Sequence, residues 1–177
     1  TAQVNTVTDQ FVCNADTTTA VTFSTTNTVG TTTYDWTNNT PGIGLAATGS
    51  GDIAAFAGVN TTGTPIVATI IVTPTFNNNG VDCTGPTETF TITVNPTPTI
   101  DTIADQIICS RTDFTDVSIT SPTTPLAGLT YSWEVTSAGP NLSGFTANSG
   151  PVAFTTPILG ETIINTSNLA EDLVYTL

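Results

Sequence analysis

The sequence predicts an all-β chain: two tandem antiparallel β-sandwiches, the second lacking its last strands. Three observations predict it. Threonine alternates with apolar residues over long stretches, short clusters of turn-forming residues separate those stretches, and the pattern restarts about 96 residues along the chain. Threonine accounts for 43 of the 177 residues, whereas only 8% are charged; an average globular protein has about 25% charged residues. Thr is β-branched and stiff at χ1, and it suits the half-buried pleated surface of a strand. The 38% of hydrophobic residues suffice for a core, which argues against disorder.

Taken in order, Val21-Thr22-Phe23-Ser24 and Thr33-Tyr34-Asp35-Trp36 have period 2. Asn38-Asn39-Thr40-Pro41-Gly42 then reads as a turn. Pro65 to Thr73 puts Ile66, Ala68, Ile70 and Val72 on one face, and Asn77-Asn78-Asn79-Gly80 is a second turn. Thr89 to Val94 puts Phe90, Ile92 and Val94 together. Alternation of this kind describes strands with one buried and one wet face. Many short strands with frequent turns describe a sandwich. No segment has helical periodicity, although Asn168 to Glu171 could cap one short turn.

The repeat fixes the domain organisation. Thr1 to Cys13 aligns with Thr97 to Cys109 at an offset of 96, with Asp9-Gln10 matching Asp105-Gln106. Tyr34-Asp35-Trp36 aligns with Tyr131-Ser132-Trp133 at an offset of 97, and Ala68–Val72 with Leu173–Leu177 at 105. Asn95-Pro96-Thr97-Pro98-Thr99 is a proline-stiffened connector. The expected domains are therefore 1–96 and 97–177. The second stops at the counterpart of Val72, before any equivalent of Cys83 or of the 90–94 strand. Thr1 opens a repeat and the chain has no Met, so the expectation is a window on a longer tandem array.

Tyr34 with Trp36, and Tyr131 with Trp133, lie on one face of their strands. An exposed row would be an aromatic platform for sugar; a central-strand Trp packed between two sheets would be core. Recurrence at the same point of both repeats favours core. Cys13 and Cys109 are repeat equivalents, and Cys83 has no counterpart. The expectation is a Cys13–Cys83 disulfide with Cys109 unpaired, and hence an oxidising compartment; three buried free thiols are the alternative.

Composition excludes several functions. A net charge of −13 with a single cation opposes nucleic acid and anionic membranes. No apolar run is long enough to span a bilayer as a helix. There is no His for a triad or an imidazole metal site and no Lys for a Schiff base or an isopeptide crosslink. Asp113/Asp116 and Glu171/Asp172 read as solvated loop acids rather than a hydrolytic pair. Asp101, Asp105, Asp113 and Asp116 could gather around a structural calcium, but no loop spacing supports it. The expectation is no cofactor and no catalysis. Gly42, Gly44, Gly49 and Gly51 read as turns, not a phosphate loop. Asn38, Asn60, Asn141 and Asn165 head N-x-S/T sequons that read as chance.

Tyr34-Asp-Trp-Thr-Asn-Asn-Thr-Pro-Gly-Ile-Gly-Leu, continuing to Asn60, then Ala68 to Phe76, Val81 to Pro86 and Phe90 to Pro96, resemble the PKD-like repeats of very large Bacteroidetes surface proteins. These include gliding-motility adhesins of the SprB type. Domain 2 is similar more loosely, through Tyr131-Ser-Trp133 and Leu173 to Leu177. The resemblance implies an immunoglobulin-like sandwich, type IX secretion and extracellular display on the cell surface. It implies a structural and adhesive role, with neighbouring repeats and an unknown surface or polysaccharide ligand as partners. It also raises O-glycosylation at Asp-Ser/Thr-apolar sequences. Thr102 in Asp101-Thr102-Ile103 matches, and Thr17 in Asp16-Thr17-Thr18 is a weaker match. Two alternative functions remain: a non-catalytic accessory or carbohydrate-binding domain of a secreted enzyme, and a pilin-like subunit that accepts a strand from a neighbour.

Overall fold

A computed structural model describes residues 2–177. The chain divides into two compact units, Thr1–Thr97 and Pro98–Leu177. Every regular element among the described residues is a strand, apart from one 3-10 turn at Pro41–Ile43.

The first unit holds β1 (Gln10–Cys13), β2 (Thr31–Asn38), β3 (Thr48–Ser50), β4 (Ile66–Asn78), β5 (Val81–Thr84) and β6 (Glu88–Asn95). They form one sheet in the order β1-β6-β4-β2-β3, with β5 added to β4. The alternation read from the sequence is the burial pattern: Ala68, Ile70, Val72, Phe90, Ile92 and Val94 are buried. Removing the Ile, Val and Phe side chains from water stabilises by about 2 kcal/mol each. The facing layer consists of two extended segments rather than a full sheet. They meet at the bridges Thr17↔Ala57 and Val21↔Ile53, and bring Val21, Phe23, Ile43, Leu45 and Ile53 onto the sheet. Asn79-Gly80 closes the β4–β5 hairpin with positive φ at both residues, 51° and 78°. That turn matches the twist of the flanking strands and favours Asn-Gly.

One pairing departs from the antiparallel expectation. β1 runs parallel to β6, with Gln10 opposite Ile92 and Cys13 opposite Asn95. The remaining ladders of this sheet are antiparallel. Alternation reports which face is buried, not which way the neighbouring strand runs.

The second unit contains β7 (Thr112–Asp113), β8 (Thr130–Tyr131), β9 (Glu134–Ala138), β10 (Leu142–Ser143), β11 (Val152–Ala153), β12 (Thr162–Asn165) and β13 (Leu173–Thr176). These make three small sheets, β10-β12-β7, β11-β8 and β13-β9. The core is Ile119, Tyr131, Phe154 and Ile158, with Phe114, Trp133 and Val152 packed against it. The helical turn expected at 168–171 is absent; a bend held by the Asn165 side chain takes its place.

Several hydrogen bonds of the first unit recur in the second. Val21 and Ile53 exchange both backbone hydrogen bonds, at 2.9 and 3.0 Å; Val117 and Ile158 do the same at 2.8 and 2.9 Å. The Ala15 amide donates to Gly58 at 2.8 Å and the Arg111 amide to Ile163 at 2.7 Å. Ala15 and Arg111 both hold positive φ, 71° and 68°, an uncommon state for a non-glycine residue. Gln10 clamps Thr19 by donating to its carbonyl and accepting its amide, both at 2.9 Å; Gln106 clamps Thr115 at 2.9 and 2.8 Å. The register also recurs: Asn38↔Ile70 and Thr37↔Ile71 in β2–β4 correspond to Val135↔Tyr175 and Glu134↔Thr176 in β9–β13. All of these pairs sit at the offsets read from the sequence.

Candidate functional site

The sequence singled out aromatics, cysteines, carboxylates and hydroxyls, and the strands place each of them. In β2, Trp36 is buried and donates its indole N–H to the Gly51 carbonyl at 3.1 Å. Tyr34 is half-buried against the same core, its ring 5.5 Å from that of Phe23. Burial, followed by the Asp52 charge, raises the Tyr34 pKa. Tyr131 is buried in the second unit and donates its hydroxyl to Thr156; burial raises its pKa as well. Tyr34, Trp36, Tyr131 and Trp133 all face their cores, so none forms an exposed platform.

Trp133 is only half-buried, against the expectation that it is core, whereas its counterpart Trp36 is buried. The reason lies on the facing segment. A Cβ on Gly49 would sit 2.2 Å from the Trp36 ring, so the indole lies where only glycine leaves room. The second unit has Ser149 there, whose hydroxyl accepts the Trp133 amide at 3.1 Å. Trp133 instead packs edge-on against Tyr175, with ring centroids 5.2 Å apart. Tyr175 has the one buried side-chain oxygen without a hydrogen-bond partner among the described residues. Burial and then the Glu161 charge raise its pKa.

The expected Cys13–Cys83 disulfide is not formed; Cys13, Cys83 and Cys109 are free and exposed. Cys13 lies opposite Asn95, beside the Ile66 end of β4, whereas Cys83 lies opposite Phe76. Ten strand residues separate those points, roughly 33 Å at the rise of a β-strand. A disulfide requires Cα atoms within about 7 Å. The repeat showed which cysteine lacks a counterpart, but not that β1 and β5 attach to opposite ends of β4.

The carboxylates serve local hydrogen bonds. Asp113 accepts the Thr162 hydroxyl, and Asp116 accepts the Gly160 amide at 2.7 Å. Glu171 accepts the Asn141 amide at 3.0 Å and its side-chain N–H₂ at 2.5 Å. Hydrogen bonding by the Asn141 side chain, against a smaller desolvation effect, holds the Glu171 carboxyl below the usual glutamate range. Among the described residues no three Asp, Glu or Cys side chains gather as a metal site. Thr17 and Thr102 are both exposed. One recess of about 400 Å³ lies between residues 5–10 and 19–24, walled by Asn, Thr and Val, with Asp9 as its carboxylate.

Sequence reasoning missed what the sequon asparagines do. Asn60 is buried; its Nδ2 donates to the carbonyls of Thr64 at 2.8 Å and Val94 at 2.7 Å, and its Oδ1 accepts the Thr62 amide at 2.9 Å. Asn165 donates to Leu169 at 2.8 Å and accepts from Ser167 at 2.8 Å. Asn38 accepts from Thr40 at 2.9 Å while donating to Leu45 at 3.1 Å. These are Asx-turns, in which the asparagine side chain mimics a backbone turn. The N-x-S/T spacing, paired with the 105-residue offset, was the signal that could have found them.

β6 is anchored by side chains as well as by its neighbours. Beyond its two ladders, the Asp9 carboxylate accepts the Thr91 amide at 2.6 Å, Asn60 holds the Val94 carbonyl, and the Asn14 amide donates to Asn95 at 2.8 Å. Strands and extended segments packed around an apolar core in each unit, with polar side chains spent on turns and strand ends, make an all-β architecture of immunoglobulin-like kind. Residues 106–177, most of the second unit, match the model of the PKD-like domain family. The match falls on the unit in which the sequence resemblance was looser. No curated protein matches the chain. No helix among the described residues is long and apolar enough to cross a membrane.

Proposed function

We propose that both units are tandem PKD-like repeats acting as a structural and adhesive module of a long bacterial cell-surface filament, with a role in attachment and gliding motility. The observation that carries this reading is the recurrence of one hydrogen-bond scheme in both units. Repeats of that kind extend reach and multiply weak contacts without needing a catalytic centre. A surface rich in threonine and poor in charge suits a spacer that stays soluble beside many copies of itself. Extracellular display by type IX secretion rests on the family resemblance, since the cysteines supply no disulfide in its favour. The partners in this reading are neighbouring repeats and a surface or polysaccharide ligand, and exposed Thr17 and Thr102 are its candidate glycan sites.

Antibody raised against residues 1–177 tests the proposal on cells that produce the protein. It should label intact cells and slow their attachment or gliding. Labelling that requires permeabilised cells would refute surface display, and surface labelling without any effect on attachment would refute the adhesive role.

A further inference from the structure

The turn between β4 and β5 sets a carboxamide beside a backbone nitrogen, and neither group is otherwise engaged. Asn79-Gly80 is the one Asn-Gly pair in the sequence. It forms the exposed tip of the hairpin, between the paired residues Asn78 and Val81. Among the described residues, neither the Asn79 side chain nor the Gly80 amide makes a hydrogen bond. The space around Gly80 is open, with no atom within 4 Å of the place a Cβ would take. Other asparagines are tied down. Asn38, Asn60 and Asn165 are held in their turns, Asn141 by Glu171, and Asn77 by Asp82, to which it donates at 2.6 Å. A carboxamide held in this way cannot swing onto the amide that follows it. Each of these five also precedes a residue whose side chain crowds that amide.

We propose that Asn79 is a site of self-modification, deamidating through a succinimide with water as the co-reactant. The Gly80 nitrogen gives its proton to solvent and attacks Asn79 Cγ. A C–N bond forms and closes the ring, and the carboxamide nitrogen leaves as ammonia after taking a proton from solvent. Water then opens the ring at either carbonyl. One opening leaves aspartate; the other leaves isoaspartate, in which the main chain runs through the β-carbon. Glycine makes the attack accessible, because it has no Cβ to shield the nitrogen and its backbone turns freely. β5 is the element that responds. The turn holds positive φ at both residues, a geometry specific to a tight two-residue connection, and isoaspartate adds a backbone atom to it. β5 pairs with β4 alone and its four residues are all exposed, so it can leave β4 without opening the core. Either product also adds a negative charge to a hairpin that already carries Asp82. The site is independent of adhesion.

The test incubates the whole 1–177 chain at neutral to mildly alkaline pH, maps its peptides, and reads isoaspartate by enzymatic methylation of its α-carboxylate. Isoaspartate should accumulate at position 79 about tenfold faster than at any other asparagine, since no other precedes glycine. The rate should rise with pH, because the attacking nitrogen must lose its proton. Asn79→Gln, whose longer side chain closes a ring far more slowly, should leave no fast site. In the modified chain, amide exchange should quicken about tenfold at 81–84 and stay unchanged at 66–72 and 88–95, as local opening of β5 alone requires. Asn79→Asp carries the charge without the extra backbone atom and should keep slow exchange at 81–84. Modification spread evenly over the asparagines, or seen only in the denatured chain, would overturn the site. Faster exchange extending into β6, or an equal effect in Asn79→Asp, would overturn its action on β5.

Discussion

The two units share a hydrogen-bond scheme but not a core. In the first, a thirteen-residue β4 joins β2 to β6 in a continuous sheet, and Ile70, Val72, Ile92 and Val94 are at most 1% exposed. In the second, strands of two to five residues form three separate sheets, and its core members are 5% to 7% exposed. Polar clamps and turns alone hold the outline of the fold. A strand seated between two edges turns that outline into a close-packed interior, because each added strand satisfies two rows of backbone groups and covers an apolar face.

The largest expected effect breaks the comparison at β6. Phe90→Ala removes a side chain that is 2% exposed and should destabilise the first unit by about 3–5 kcal/mol. Denaturant unfolding followed at Trp36 in a Trp133→Phe background should show the loss. Followed at Trp133 in a Trp36→Phe background, the second unit should be unaffected. If both probes shift together, the units are not independent and the comparison fails.

Asn60 and Asn165 sharpen it. Asn60→Ala removes the side-chain donor to the buried Val94 carbonyl and one of two side-chain donors to the Thr64 carbonyl, a loss of about 2–3 kcal/mol. Asn165→Ala touches a half-buried turn and should cost about 1 kcal/mol or less. Equal losses would mean that the Val94 anchor adds nothing beyond the turn. Gly49→Ala comes next, at about 1–3 kcal/mol, because its new methyl group would meet the Trp36 ring. Ser149→Ala, at the matching place, should be far milder. Smaller still is Cys13→Ser with Cys83→Ser, which should change stability by less than about 0.5 kcal/mol; a disulfide closing so long a loop would be worth about 4 kcal/mol. Thiol titration of the folded chain should find all three groups reactive.

What the sequence made legible follows from period and repetition. The buried faces of β4 and β6 were readable because alternating Thr and Ile leave one choice of face. The offsets of 96, 97 and 105 located the clamps, bridges and β2–β4 register that recur, whereas the stretch facing Trp36 recurs at an offset of 100 that the sequence reading did not find. Three things were hidden for physical reasons. The parallel run of β1 leaves no trace in alternation. The separation of Cys13 from Cys83 depends on which end of β4 each neighbour joins, a property of the whole sheet. The shift of Trp133 depends on one residue across the ladder, Ser149 in place of glycine, where burial is decided by space rather than hydrophobicity. The asparagine turns were present as spacing, but a sequon is a commoner reading of the same three letters.

The smallest effect concerns Glu171, where the second unit has a polar contact with no counterpart in the first. Its carboxylate accepts both Asn141 donors across a 30-residue separation, tying the segment before β13 to the segment before β10. The folded-state pKa is lowered, chiefly by the Asn141 side chain. The sign follows from linkage: a group whose folded pKa is depressed contributes stability above its unfolded pKa and loses it as pH falls through the folded pKa. The second unit should therefore loosen in the acid range below the usual glutamate pKa. The contact is solvent-exposed, so the effect should be small and weaker in high salt. An NMR pH titration of the Glu171 side chain should give a midpoint below that of an unstructured glutamate. Asn141→Ala should bring the midpoint back towards it without altering the first unit. An unchanged midpoint in that variant would show that the hydrogen bonds from Asn141 do not hold the carboxylate.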